Sequence, residues 1–133
     1  MKLKHLLLVD DDPTTNFFNR HLISKMGVFD HIHEATNGQV ALDTIAELYK
    51  QGETPDMILL DINMPIMNGF EFLDRYDELD EKLKSSIVIC MLTTSLAQED
   101  LERSKQYEVL SDYIDKPLYE EKIKELIEKY FGN

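Results

Sequence analysis

Five short runs rich in Leu, Ile and Val, separated by polar stretches long enough for a helix, constrain this chain more than any other feature. That alternation is the signature of βαβ units in a parallel sheet. The runs are Leu6 to Val9, His31 to Ala35, Met57 to Leu60, Ile87 to Leu92 and the pair Tyr113-Ile114. The first, third and fourth are continuously apolar, as central strands covered on both faces must be, whereas the second alternates and reads as an edge strand. A length of 133 residues fits one α/β domain over 1–133, with no room for a second.

Helical patterns fill the intervals. Pro13, Thr14 and Thr15 open a segment in which Phe18, Leu22 and Met26 recur every four residues and Gly27 supplies a left-handed cap. A second helix is expected from about Gly38 to Lys50, with Val40, Ile45 and Leu48 inward, ending in the polar turn 51–55. The third begins near Gly69 with Phe70, Phe72 and Leu73, and its charged tail is expected to fray before the next strand. The fourth is expected from about Gln98 to Tyr107, on a thin apolar face. The last carries Ile123, Leu126, Ile127 and Tyr130 at helical spacing, with Glu120 and Glu121 at its positive end.

Charge excludes several functions. The 26 acidic and 14 basic residues give −12, a field that repels phosphate backbones and anionic lipid alike, so nucleic-acid binding is not expected. The longest apolar stretch, Ile87 to Leu92, falls far short of the ~20 residues of a membrane span, and no secretory leader is visible; a cytoplasmic location is expected. The single cysteine, Cys90, lies in that stretch and reads as a core side chain.

In an open parallel sheet, ligands bind beyond the carboxyl ends of the strands. Here Asp10, Asp11 and Asp12 follow the first run, Asp61 and Asn63 the third, Thr93 and Thr94 the fourth, and Lys116-Pro117 the fifth. Carboxylates within ~4 to 5 Å repel by a few kcal/mol even at an effective dielectric of about 20, so such a cluster calls for a cation. With oxygen ligands only and no Cys or His competing, Mg²⁺ fits best, with Mn²⁺ as the alternative. Lys116 adds a second positive charge and Thr93 a hydroxyl, which together make an electrostatic clamp for a phosphoryl group. Asp61, at the end of the central run, is then the candidate nucleophile for an aspartyl phosphate. Taken alone, an acidic run such as Asp10 to Asp12 is also what a solvated helix cap looks like, and Asp12 is expected to cap the first helix. The coincidence of four such features at corresponding strand ends favours a site.

These residues, in this order, resemble the response-regulator receiver domains of two-component signalling over nearly the whole chain. The motifs are Asp10 and Asp11 in LLLVDDDP, Asp61 in LLDINMPIMNG, Thr93 in ICMLTTS, and Tyr113 and Lys116-Pro117 in DYIDKP. The resemblance implies a doubly wound five-stranded parallel sheet of CheY-like, flavodoxin-like type, strand order 2-1-3-4-5, with helices on both faces. It implies Mg²⁺ bound by Asp11, Asp61 and the main-chain carbonyl of Asn63, with Asp10 contributing through water. It further implies that Asp61 takes a phosphoryl group from a histidine kinase or histidine phosphotransfer protein, that Thr93 and Lys116 move to meet it, and that Tyr113 rotates inward. The output face would be helix four, strand five and helix five, meeting a downstream protein as a monomer or a phosphorylation-dependent dimer. With no output domain expected after the receiver, the resemblance suggests a stand-alone regulator of chemotaxis type or a phosphorelay intermediate.

Three departures stand out. Asp115 precedes the Lys-Pro pair where many receivers carry a small or aliphatic residue. Residues 107–111 replace a stretch that commonly contains glycine. Thr94 stands where the family often has Ala or Gly, and as a modulator beside Asn63 it implies slower attack of water and a longer-lived phosphoryl state. A rival reading takes Asp10, Asp12 and Thr14 as the DxDxT pattern of haloacid-dehalogenase-like phosphatases, with Asp10 the nucleophile and Asp12 the acid/base. Only a helix follows Lys116, which leaves that enzyme's remaining acidic motif unplaced. His31 and His33 share a face of the edge strand without a third ligand in view, His5 and His21 read as surface or partly buried rings, and Phe17-Phe18 reads as core on one side.

Overall fold

The computed structural model describes residues 3–62, 64, 67–79, 87–93, 102–107 and 110–132, with the side chains of 93 and 115 excepted. The elements in chain order are β1 (Leu3–Val9), α1 (Pro13–Met26), β2 (Phe29–Ala35), α2 (Gly38–Lys50), β3 (Met57–Asp61), α3 (Gly69–Asp77) and β4 (Val88–Thr93). There follow the helical residues 102–104 (α4), β5 (Leu110–Asp115) and α5 (Glu120–Phe131). The five strands form one parallel sheet in the order β2-β1-β3-β4-β5. The alternating run is at the edge and the continuously apolar runs are interior, as the sequence requires. No helix among the described residues is long and apolar enough to cross a membrane.

Two cores flank the sheet because successive side chains leave a strand on opposite faces. Leu7, Val9, Ile58, Leu60, Ile89 and Met91 pack on the side of α2 and α3. Leu6, Leu8, Met57, Leu59, Cys90 and Leu92 pack on the side of α1 and α5. Burial pushes the Cys90 thiol up to about 12, consistent with a core role.

Local signals start and stop the helices. Asp12 accepts from the Thr14 N–H at 2.9 Å ahead of Pro13, and Gly27 closes α1 at φ 66°, where a β-carbon would be strained. Asn37 caps α2 through the Val40 N–H. Asn68 and Glu71 form a reciprocal capping box at the start of α3.

The inward faces differ from expectation in two helices. In α1, Phe17 and Phe18 are 62% and 63% exposed, while Asn16 and Ile23 are buried and Leu22 and Met26 half-buried. At ~100° per residue Asn16 lies only about 20° from Ile23, whereas Phe18 lies about 140° away, so recurrence every four residues picked out a stripe that winds off the core face. In α2 the buried positions are Gly38, Ala41, Ile45 and Leu48, and Val40 is 40% exposed. Phe70, Phe72 and Leu73 are buried in α3, and Ile123 and Leu126 in α5, as expected. The third helix runs to Asp77, whereas 80–86 of its charged tail and 98–101 of the expected fourth helix lie outside the described residues; of the rest of that fourth helix, only 102–104 are helical. Tyr107 stacks on Phe70 at 6.0 Å and donates to Asp74 at 2.7 Å, while Tyr130 donates to the Ser111 carbonyl at 2.7 Å. Both tyrosines pack helices in place.

Candidate functional site

Parallel pairing puts the carboxyl ends of β1, β3, β4 and β5 side by side, with Val9 opposite Leu60, Asp61 opposite Leu92 and Thr93 opposite Asp115. Asp10 and Asp11 leave β1 and Asp61 ends β3, so their carboxylates converge, with one oxygen from each within 4.8 Å of the others. Asp10 and Asp61 are buried at 4% and 6% exposure, and Asp11 faces solvent. Two unit charges about 5 Å apart repel by about 3 kcal/mol at an effective dielectric of 20.

Lys116 answers part of that charge. Its Nζ lies 2.7 Å from Asp10 Oδ2 and 3.4 Å from Asp61 Oδ1. Burial pulls the Lys116 ammonium down, but the hydrogen bond to Asp10 and the charges of Asp61 and Asp10 outweigh it and hold its pKa above the ordinary lysine value. The peptide bond Lys116–Pro117 is cis. Three carboxylates against one ammonium leave −2, the charge that a divalent cation neutralises. The donor atoms brought together are carboxylate oxygens alone, a set suited to a hard ion of the Mg²⁺ or Mn²⁺ kind.

The fold pins Asp10 and Asp61 from outside the cluster. Asp10 Oδ1 accepts from the Asp12 N–H at 3.0 Å, its own N–H donates to the Ala35 carbonyl at 3.0 Å, and its carbonyl accepts from Asn16 Nδ2 at 2.9 Å. Sequence reasoning missed Asn16; the available signal was a polar residue near the angular position of Ile23 on α1. Asp61 is held by Gly69: a β-carbon there would sit 2.7 Å from the Asp61 carbonyl oxygen and 2.8 Å from Ile62 Cα, and the Gly69 N–H donates to the Ile62 carbonyl at 2.8 Å. Only glycine lets α3 start that close to the end of β3.

Of the residues singled out from sequence, Asp10, Asp11, Asp61 and Lys116 come together. Tyr113 lies in β5 opposite Met91, half-buried against the core on the α2–α3 side. The Thr93 backbone ends β4 beside Asp115. The side chains of Thr93 and Asp115, and Asn63 and Thr94 altogether, lie outside the described residues. Asp12 is turned away as a helix cap: the Thr14 N–H, then the Thr15 hydroxyl, hold its carboxyl below the usual aspartate range.

Comparison with known proteins agrees with this architecture. The model of the response regulator receiver domain matches residues 6–128. Two-component response regulator 24 of Arabidopsis thaliana is 30% identical over 123 residues, 92% of this chain and 81% of that protein. Sporulation initiation phosphotransferase F of Bacillus subtilis is 29% identical over 130 residues, covering 98% of this chain and 95% of its own. The crystal structure of a two component response regulator from Cytophaga hutchinsonii superimposes with a TM-score of 0.90 at 31% identity, over 100% of both chains. A five-stranded parallel sheet in the order 2-1-3-4-5, carrying its acids and lysine at the carboxyl edge, thus belongs to the response-regulator receiver family, with the CheY-like fold.

Proposed function

We propose that the chain is a Mg²⁺-dependent phosphoacceptor, in which Asp61 takes a phosphoryl group from a phosphohistidine on a histidine kinase or phosphotransfer protein. The observation that carries this reading is the convergence of three carboxylates on Lys116 at adjacent strand ends. Asp10, Asp11, Asp61 and the Asn63 carbonyl are the proposed metal ligands; the ion supplies neutralisation of phosphoryl oxygens as charge builds on them. In the transfer, the P–N bond to the donor imidazole breaks as the P–O bond to Asp61 forms. Lys116 sits between Asp10 and Asp61 with its charge held on, able to exchange its bond to Asp61 for one to a phosphoryl oxygen. Thr93 is proposed to donate its hydroxyl to the same group, and Tyr113 to respond to that movement on the face of β5, α4 and α5 that meets the downstream protein.

A protein donor must cover the rim of the site to deliver its histidine. Phe18, His21 and Leu22 of α1 line a groove with Lys116, Pro117 and Leu118, and Phe18 stands exposed there, which supports docking of the donor on α1. The phosphatase reading loses support from the geometry. Both Asp10 oxygens are engaged, by the Asp12 N–H and by Lys116, and the Asp12 carboxylate is committed to Thr14 and Thr15.

Incubation with a small phosphoryl donor and Mg²⁺, followed by intact and peptide mass spectrometry, tests the proposal. One phosphoryl group should appear on Asp61 and disappear with Asp61→Asn or a chelator. A modification that persists in Asp61→Asn and vanishes in Asp10→Asn would transfer the role to Asp10.

A further inference from the structure

A second polar cluster lies at the other end of β1, about 16 Å from Asp10 at the ~3.3 Å rise of a parallel strand. His5 pairs with His31 and Leu7 with His33, so all three histidines leave β1 and β2 on one face, beside the carboxyl-terminal turns of α2. The ring centroids of His31 and His33 each lie 5.1 Å from that of His5. His5 is 5% exposed and both its ring nitrogens are engaged: Nδ1 meets His33 Nε2 at 3.0 Å, and Nε2 is hydrogen-bonded to the Glu53 carboxylate. The turn after α2 is fastened around the same residue. Asp56 accepts the Lys4 and His5 N–H groups at 2.8 and 3.0 Å and donates its own N–H to the His5 carbonyl at 2.8 Å, while Lys4 Nζ lies 3.3 Å from Glu53.

A hydrogen bond between two imidazoles needs one N–H and one lone pair. The bond from His5 holds the Glu53 carboxyl below the usual glutamate range, so Glu53 is an ionised acceptor and His5 Nε2 carries a proton. With His5 neutral, its Nδ1 is then a lone pair that accepts from His33 Nε2–H; with His5 charged, Nδ1–H donates to a His33 Nε2 lone pair. The contact therefore holds with no charge or one charge on the pair. A second charge makes both facing nitrogens donors, and the contact must open. His33, half-buried on the edge strand, is the ring that can leave, because His5 is packed inside and held by Glu53.

The surroundings of His33 set where this happens. Burial, then the charges of His5, His31 and Arg20, hold its pKa below the ordinary histidine value, and Glu53 opposes them. Arg20 reaches in from α1, where it pairs with Glu34 at 2.9 Å; Glu47 lines the pocket from α2, Lys4 belongs to β1, and Asp56 to the turn. A base whose pKa is lowered by folding binds fewer protons than in the unfolded chain. Stability therefore falls as pH drops from the unfolded value of ~6.5 toward the lowered one.

We propose that His5, His33 and Glu53, with His31 stacked beside them, form a proton-sensitive latch. Closed at neutral pH, it joins the edge strand β2 to β1 and to the turn after α2; a second charge on the histidine pair releases His33.

Magnetic-resonance titration of the full chain from pH 8 to pH 4.5, reading imidazole ¹⁵N shifts and through-space contacts between rings, tests the latch. The His5–His33 ring contact should be present at the upper end and lost at the lower, while the amides of β3 stay protected from exchange. Glu53→Gln removes a negative neighbour and should move the midpoint of that loss down by roughly 0.5 pH unit; Arg20→Gln removes a positive one and should move it up by about as much. A residue that served packing alone would not shift a titration midpoint in opposite directions with the sign of the charge removed. His33→Gln should flatten the fall in stability below pH 6.5. The inference falls if the ring contact persists at pH 4.5, if it disappears only together with the protection of β3, or if the two charge substitutions leave its midpoint in place or move it the same way. None of these results bears on the phosphoacceptor reading, which is assayed by phosphorylation of Asp61 at neutral pH.

Discussion

Replacing Lys116 with methionine isolates the electrostatics of the acidic centre. The side chain is 18% exposed, and its ammonium contacts Asp10 at 2.7 Å and Asp61 at 3.4 Å, both carboxylates being almost fully buried. At an effective dielectric of 20 those two attractions come to about 6 and 5 kcal/mol, against about 3 kcal/mol of repulsion between Asp10 and Asp61. Relief of lysine desolvation offsets part of the loss, and breaking a buried ion pair by removing one partner costs about 3 to 5 kcal/mol in practice. Lys116→Met should therefore lower stability by about 3 kcal/mol in chelator at pH 7, roughly 10 °C in melting temperature for a domain of this size. Asp61→Asn in the same background should recover about 2 kcal/mol, because it removes a carboxylate that has lost its counter-ion. Saturating Mg²⁺ should recover more in Lys116→Met than in the parent, since the cation then meets −3 instead of −2. Urea unfolding of the four combinations, with and without Mg²⁺, measures all of this. If the double variant is less stable than Lys116→Met alone, the carboxylates are not in electrostatic competition and the account of the site is wrong.

Further expectations follow from the same contacts. Gly69→Ala should cost about 1 to 3 kcal/mol and slow phosphorylation of Asp61, because the added carbon meets backbone at 2.7 Å. Gly27→Ala, at φ 66° with nothing within 4 Å, should cost only about 1 to 2 kcal/mol and leave phosphorylation alone; equal effects on phosphorylation would refute the role given to Gly69. Asn16→Leu should destabilise by about 1 to 3 kcal/mol, measured by urea unfolding, since the Asp10 carbonyl loses its 2.9 Å donor in a buried place. Native Cys90 should resist an aromatic disulfide reagent at pH 8 and react fully in urea, given a thiol pKa of about 12. Asp12 has its carboxyl pKa lowered by folding, so its cap contributes stability above the ordinary aspartate range and loses it as pH falls through the lowered value. Asp12→Ala should flatten the acid limb of the stability profile, and an unchanged limb would remove the cap from the account.

The sequence by itself determined the sheet and the location of the acidic centre. Apolar runs can be buried on both faces only as central strands, and parallel winding forces the residues after them to one edge, so Asp10, Asp11, Asp61 and Lys116 could be placed together from their order alone. Tertiary structure decided which helix faces turn inward. Phe18 and Val40 fit an inward stripe in one-dimensional spacing, but α1 and α2 dock on Asn16–Ile23 and on Ala41–Ile45–Leu48, because the register of a helix against a sheet depends on the partner surface. It also decided the histidine cluster. His5 and Glu53 stand 48 positions apart and meet His31 and His33 only because β1 pairs with β2 in one register and the turn after α2 returns beneath them. Neighbouring residues declare themselves through periodicity, whereas a contact closed across a sheet leaves no periodic trace in the chain.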